Sequence, residues 1–171
     1  MKIIDDLYQY DLRMLLWCSR TQHAALHCRL AKSISRTGDG YLQLCLPLLI
    51  LVLDQQQGDE FFSYAALAFA LQMPLYWILK NCLQRQRPPE AIPTFESIII
   101  AHDKFSFPSG HSAAAFLLAN LTFIFYGSIA WPLFVWATLV AMSRVALGVH
   151  YPTDIIAGAL LGSATAFVIC Y

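Results

Sequence analysis

Five apolar stretches restrict what this chain can fold into. They run over approximately residues 41–54, 61–80, 108–127, 129–149 and 153–171, and a bilayer core takes roughly 20 apolar residues per helical crossing. Backbone groups in hydrocarbon must pair within the protein, so a spanning segment of this length is a helix. The first stretch is short for a crossing. Composition agrees with a lipid solvent: of 171 residues, 58% are hydrophobic and 13% charged, beyond the roughly half apolar content of soluble domains. The expected fold is all-α, a polytopic membrane helix bundle of about five spans over residues 41–171. An interfacial amphipathic segment over 1–40 precedes it, the whole forming one domain, 1–171.

Within that first segment, Leu7, Leu12, Leu15 and Leu16 recur at helical spacing among Asp5, Asp6, Asp11, Arg13 and Arg20. This is the pattern of a helix lying on a membrane, or of one capping the bundle. The turn Thr37-Gly38-Asp39-Gly40 ends it. The acids of Met-Lys-Ile-Ile-Asp-Asp interrupt any leader-like apolar core, so no cleaved leader is expected. A formal net charge of zero with clustered cations argues against a nucleic-acid partner. Five scattered cysteines imply no disulfide framework. His23 and His27 lie four apart, but Ala24 stands where a zincin helix would need Glu.

Each span reverses the chain, and this turns spacing into geometry. Lys80 ends the second stretch, Pro108-Ser109-Gly110-His111 opens the third, Ser143-Arg144 and His150 close the fourth, and Asp154 opens the fifth. All fall on one membrane face. With one span miscounted they would separate by a bilayer thickness of roughly 30 Å. Ionisable groups beside hydrocarbon are costly and mark function by default.

The residue types suit one task. Pro108 fits a first helical position, leaving the N–H groups of Ser109, Gly110 and His111 free at a helix start, where anions bind. Gly110 admits close backbone approach, and Ser109 adds a hydroxyl. Ordinary capping is the bland alternative, and Ser109 lacks the nucleophile-elbow context of a serine hydrolase. Pro152 places Asp154 in a first turn, near His150. A carboxylate holding one imidazole nitrogen frees the other as an electron pair, which makes His150 the nucleophile candidate. His111, with no evident carboxylate partner, suits the general acid. A histidine pair with Asp154 could instead bind metal, although several fixed cations crowd the place. Lys80, Arg87 and Arg144 would share phosphoryl oxygens, arginine as a planar fork and lysine as a point charge. Arg85, two residues from Arg87 and so on another helical face, is assigned to lipid headgroups.

Lys80 with six residues before Arg87-Pro88, then Pro108-Ser109-Gly110-His111, then Ser143-Arg144 with five residues before His150 and three more before Asp154, resembles the three-part signature of the type 2 phosphatidic acid phosphatase (PAP2) superfamily. The resemblance covers residues 80–154. It implies a phosphatase without metal or other cofactor. His150 would form a phosphohistidine, Asp154 orient it and His111 protonate the leaving group. Lys80, Arg87, Ser109, Gly110 and Arg144 would hold the phosphate. The compact length is similar to the bacterial lipid-phosphatase branch.

The expected activity is hydrolysis of a phosphate or diphosphate headgroup on a membrane lipid, with undecaprenyl diphosphate, phosphatidylglycerol phosphate and phosphatidate as candidates. Lipid-to-acceptor phosphotransfer and nonenzymatic lipid-phosphate binding or transport are the alternatives. The bilayer itself is the other partner. All eleven Lys and Arg lie on the site's face or in the N-terminal segment, while the opposite loops carry Asp54, Asp59 and Glu60. A literal positive-inside reading puts the site in the cytoplasm. Catalysis accounts for Lys80, Arg87 and Arg144, however, and similarity to bacterial enzymes leads to the expectation of an inner-membrane protein whose site faces the periplasm.

Overall fold

The computed structural model describes residues 2–20, 25–101 and 103–171, those at 2–5, 19 and 20 by backbone only; His23 lies outside the described residues. Every regular element among them is helical. The order is α1 (Lys2–Arg20), α2 (Ala25–Thr37), α3 (Tyr41–Leu53), α4 (Gly58–Leu83), the short α5 (Pro88–Ala91), α6 (Gly110–Tyr126), α7 (Trp131–Ala146) and α8 (Pro152–Cys170). The N-terminal segment is thus two helices, closed by the turn at 38–40.

Among the described residues, length and apolarity single out three helical runs able to cross a membrane, Gly58–Ala91, Gly110–Ala146 and Pro152–Cys170, with a fourth if α2 and α3, bent by 46°, form one broken span. The count stops short of the five expected because α3 has only 13 residues and because α6 and α7, which a 3₁₀ turn at Gly127–Ala130 separates, form one 37-residue run by length and apolarity. His111 and Arg144, at the two ends of that run, line one cavity, so the chain reverses within it.

The core sits where α4, α6 and α8 meet: Phe61, Ala65 and Ala68 pack against Leu117, Leu118, Leu121 and Ala166. Small residues let α6 and α8 touch through their backbones. A Cβ added at Gly162 would stand 2.1 Å from the Ala113 carbonyl oxygen, and one at Gly158 would stand 2.4 Å from that of Ser109. The pair Gly158 and Gly162 is therefore a seam within the bundle. The outward faces carry Leu67, Met73, Ile78, Val135, Ile156, Leu160 and Val168, all exposed, which is what a lipid-facing surface requires. On α1 the apolar residues divide: Leu12 and Leu15 join a cluster with Val145, Tyr151 and Ile155, while Leu7, Leu16 and Trp17 face outward.

Candidate active site

The site forms where four helix ends meet. Helix α4 stops at Leu83 because Gln84 takes a left-handed conformation, φ 46°, and the chain then turns inward. Lys80, in the last turn of α4, is 2% exposed, and Arg87, Arg144, His150 and Asp154 are likewise buried. Arg87 Nη1 donates to the Val149 carbonyl at 2.6 Å, which brings it to the connection that bears His150. Helix α8 begins at Pro152, and the Asp154 carboxylate accepts the Tyr151 N–H at 2.8 Å, fixing the start of the helix as the sequence suggested. His150 Nδ1 stands 3.5 Å from Asp154 Oδ2. That is the limit of a hydrogen bond, and Nδ1 has no well-formed partner. Burial, reinforced by the charges of Arg87 and Arg144 and only partly opposed by Asp154, lowers the His150 pKa to about 4. The imidazole is therefore neutral at ordinary pH.

The third helix start differs in detail from expectation. Helix α6 begins at Gly110 with Ser109 as its N-cap, so Pro108 precedes the cap instead of occupying the first helical position. The Ser109 N–H is not free: it donates to the Asp154 carbonyl at 3.0 Å. Its hydroxyl accepts from the Ser112 hydroxyl at 3.1 Å. The space above Gly110, where a Cβ would stand, meets the Tyr76 ring at 3.2 Å. His111 does have a carboxylate partner, Asp39 of the turn after α2, with Nε2 2.7 Å from Oδ1. His111 and Arg144 line a cavity of about 230 Å³ together with Lys32, Ser35 and Arg36 of α2. Arg144 Nη1 donates to Ser35 Oγ at 2.6 Å, and its buried Nε has no hydrogen-bond partner among the described residues.

All eight residues expected to form the site thus gather in one place. Three acids join them that spacing did not indicate. The first is Asp103, on the loop between α5 and α6, whose carboxylate bridges Lys80 and Arg87 and accepts the Tyr76 hydroxyl at 2.7 Å; Arg87 Nε also donates to its carbonyl at 2.9 Å. Burial alone would raise its pKa, but the hydrogen bonds from Lys80 and Tyr76 and the charges of Arg87 and Lys80 outweigh that and hold it well below the usual carboxylate range. The others are Asp39 and Asp11. Arg85 is not a headgroup contact: it pairs with Asp11 and Asp154.

The chain is similar to known proteins in sequence and in fold. A match to the PAP2 superfamily runs over residues 61–171. Among curated proteins, the chain is 35% identical over 106 residues to the bacitracin transport permease protein BcrC of Bacillus licheniformis, covering 62% of this chain and 52% of that one. It therefore spans about half the length of that relative. It is 32% identical over 149 residues to phosphatidylglycerophosphatase B of Bacillus subtilis, covering 76% and 68% respectively. Among solved structures, it is similar to LpxE of Aquifex aeolicus, with a TM-score of 0.77, 26% identity and 93% of each chain covered. It also shares its fold with a transmembrane PAP2-type phosphatidylglycerolphosphate phosphatase from Bacillus subtilis, with a TM-score of 0.76, 24% identity, and 96% of this chain and 85% of that one covered. With its fold, its helix-end cluster of cations and imidazoles, and more than half its length matched, this chain belongs to the PAP2 superfamily.

Proposed function

We propose that the chain is a multi-pass lipid phosphatase of a bacterial inner membrane, its site facing the periplasm, that hydrolyses a phosphate or diphosphate headgroup through a phosphohistidine. The observation that supports this most directly is the convergence of Lys80, Arg87 and Arg144 on a buried, neutral His150 backed by Asp154. Because Nδ1 faces Asp154, Nε2 is the attacking atom. Its electron pair forms the N–P bond as the bond from phosphorus to the lipid oxygen breaks, and His111 gives that oxygen a proton. Water then attacks phosphorus and gives a proton to His111 as the N–P bond breaks, its electron pair returning to His150 Nε2, and inorganic phosphate leaves. Fixed cations in a partly dry site stabilise the charge spread over the transferring phosphoryl group. Relatives carry names from two lipid classes, a glycerophospholipid for phosphatidylglycerophosphatase B and a polyprenyl lipid for decaprenylphosphoryl-5-phosphoribose phosphatase of Mycobacterium tuberculosis. What these share is the phosphate, which the cations here would read. The candidates remain undecaprenyl diphosphate, phosphatidylglycerol phosphate and phosphatidate.

The test is phosphate release by purified protein from a panel of these three lipids, with chelator present. Release that survives chelation and is lost in His150→Ala is the expected outcome. Phosphorylated acceptor in excess of free phosphate would indicate a transferase, and binding without turnover a carrier.

A further inference from the structure

Arg85 has more partners than a headgroup contact needs. Its Nη1 donates to Asp154 Oδ1 and to Thr153 Oγ1, each at 2.7 Å, and its Nη2 donates to Asp11 Oδ2 at 2.6 Å. Its guanidinium carbon lies 4.1 Å from the centre of the Tyr151 ring. Asp11 also accepts the Thr153 N–H at 3.0 Å and the Thr153 hydroxyl. Both carboxylates are withdrawn from water, Asp11 to 1% exposure and Asp154 to 0%. A buried carboxylate is costly unless its partner is fixed. Arg85 is the cation that Asp11 and Asp154 share, while Leu12 and Leu15 pack α1 against the bundle. We propose that Arg85 is a positioning residue for the His150–Asp154 pair, and that through Asp11 it makes the N-terminal helix part of the catalytic apparatus.

The geometry gives Arg85 two effects. By holding Oδ1 it sets the rotation of the Asp154 carboxylate, and so aims Oδ2 at His150. It also shares the carboxylate's charge. The charged groups acting on His150 and Asp154 come from several elements: Arg144 from α7, Arg87 from the turn before α5, Lys80 from α4, and Arg85 just after α4, with Asp11 of α1 behind it, while the start of α6 offers the Ser109 N–H to the Asp154 carbonyl. Removing Arg85 leaves the whole Asp154 charge to favour the imidazolium. Neutralising Asp11 does the reverse, because Arg85 then acts on Asp154 undivided. A contact that only held α1 in place would not produce opposite signs.

This role rests on His150 being the nucleophile, so the experiment reads His150 apart from turnover. The full chain, labelled with ¹⁵N-histidine in detergent micelles, is titrated by NMR, with the His150 signal identified by its loss in His150→Ala. Arg85→Gln raises the His150 midpoint by about one pH unit, the order set by a unit charge acting across a few ångströms of partly buried protein. Asp11→Asn lowers it, and Arg85→Lys lies near the wild type. The acid limb of kcat/KM for phosphate release moves in the same directions. Unmoved midpoints, or the same direction in Arg85→Gln and Asp11→Asn, overturn the proposal. Should Arg85→Gln not fold, failure of Asp11→Asn to lower the midpoint overturns it equally. Opposite shifts in a protein that hydrolyses no lipid phosphate would uphold the coupling and reject the hydrolase.

Discussion

The Asp103 carboxylate sits on two of the cations proposed to hold phosphate, and replacing it with Asn tests whether substrate must displace it. Asp103 pairs with Lys80 and Arg87, and its side chain is only 28% exposed, so screening by solvent is partial. Charge-assisted hydrogen bonds in such places contribute roughly 1.5–3 kcal/mol each. An incoming anion recovers most of the lost contacts, leaving a net competition of about 1.4–2.8 kcal/mol, which is a tenfold to hundredfold change in affinity. Asp103→Asn is therefore expected to bind orthovanadate about ten to a hundred times more tightly, read as the inhibition constant or by calorimetry in micelles. Without an anion, the same substitution leaves Lys80, 2% exposed, with an uncompensated charge, so its unfolding temperature falls and added vanadate restores it. Equal or weaker vanadate binding in Asp103→Asn would refute displacement and make Asp103 part of the anion site. Protonation cannot do the displacing. With its pKa depressed in the folded state, Asp103 contributes stability that is present above the unfolded value of about 4 and is lost only as pH falls through the lower folded one.

Other consequences can be measured in the same preparation. His111→Ala should slow hydrolysis of an alkyl lipid phosphate by about 10² or more, yet affect p-nitrophenyl phosphate far less; equal losses would contradict its role as acid. Asp154→Asn keeps shape but removes charge, so kcat drops while vanadate affinity holds. The His150 pKa of about 4 in the folded state places the acid limb of kcat/KM near pH 4. An unfolded imidazole protonates around pH ~6.5, so this residue's contribution to stability is whole above that value and is lost as pH falls towards 4. A limb near 6.5 would count against the burial described. Gly162→Ala puts a methyl against the Ala113 carbonyl and should cost about 1–3 kcal/mol of stability by forcing α6 and α8 apart, seen as a lower unfolding temperature.

The residues proposed to hold phosphate and carry the reaction were legible in the sequence because each sits at or beside a helix end and the helices alternate in direction. Lys80, His111, Arg144 and Asp154 follow from span boundaries alone. The acids behind them were not legible. Asp11, Asp39 and Asp103 reach the site from an N-terminal helix, a turn and an irregular loop, whose positions are set by tertiary packing and leave no periodic trace. Arg85 departs from expectation for a definable reason: α4 ends at Leu83, so the alternation of helical faces no longer applies at residues 85 and 87. Once Gln84 turns the chain, residues two apart can both point inward, as Arg85 and Arg87 do. The reversal at Gly127–Ala130 was legible as the break between two apolar stretches, although by length and apolarity alone α6 and α7 merge into one run, since the turn adds no polar residue beyond Ser128.

One backbone hydrogen bond joins the two halves of the chemistry, from the Ser109 N–H to the Asp154 carbonyl, with Gly158 and Gly162 directly beneath it. The imidazoles proposed to protonate and to attack, His111 and His150, thus hang from a single welded corner. If lipid stretches, tilts or thins around such a bundle, that corner is where the proposed chemistry would be kept in register.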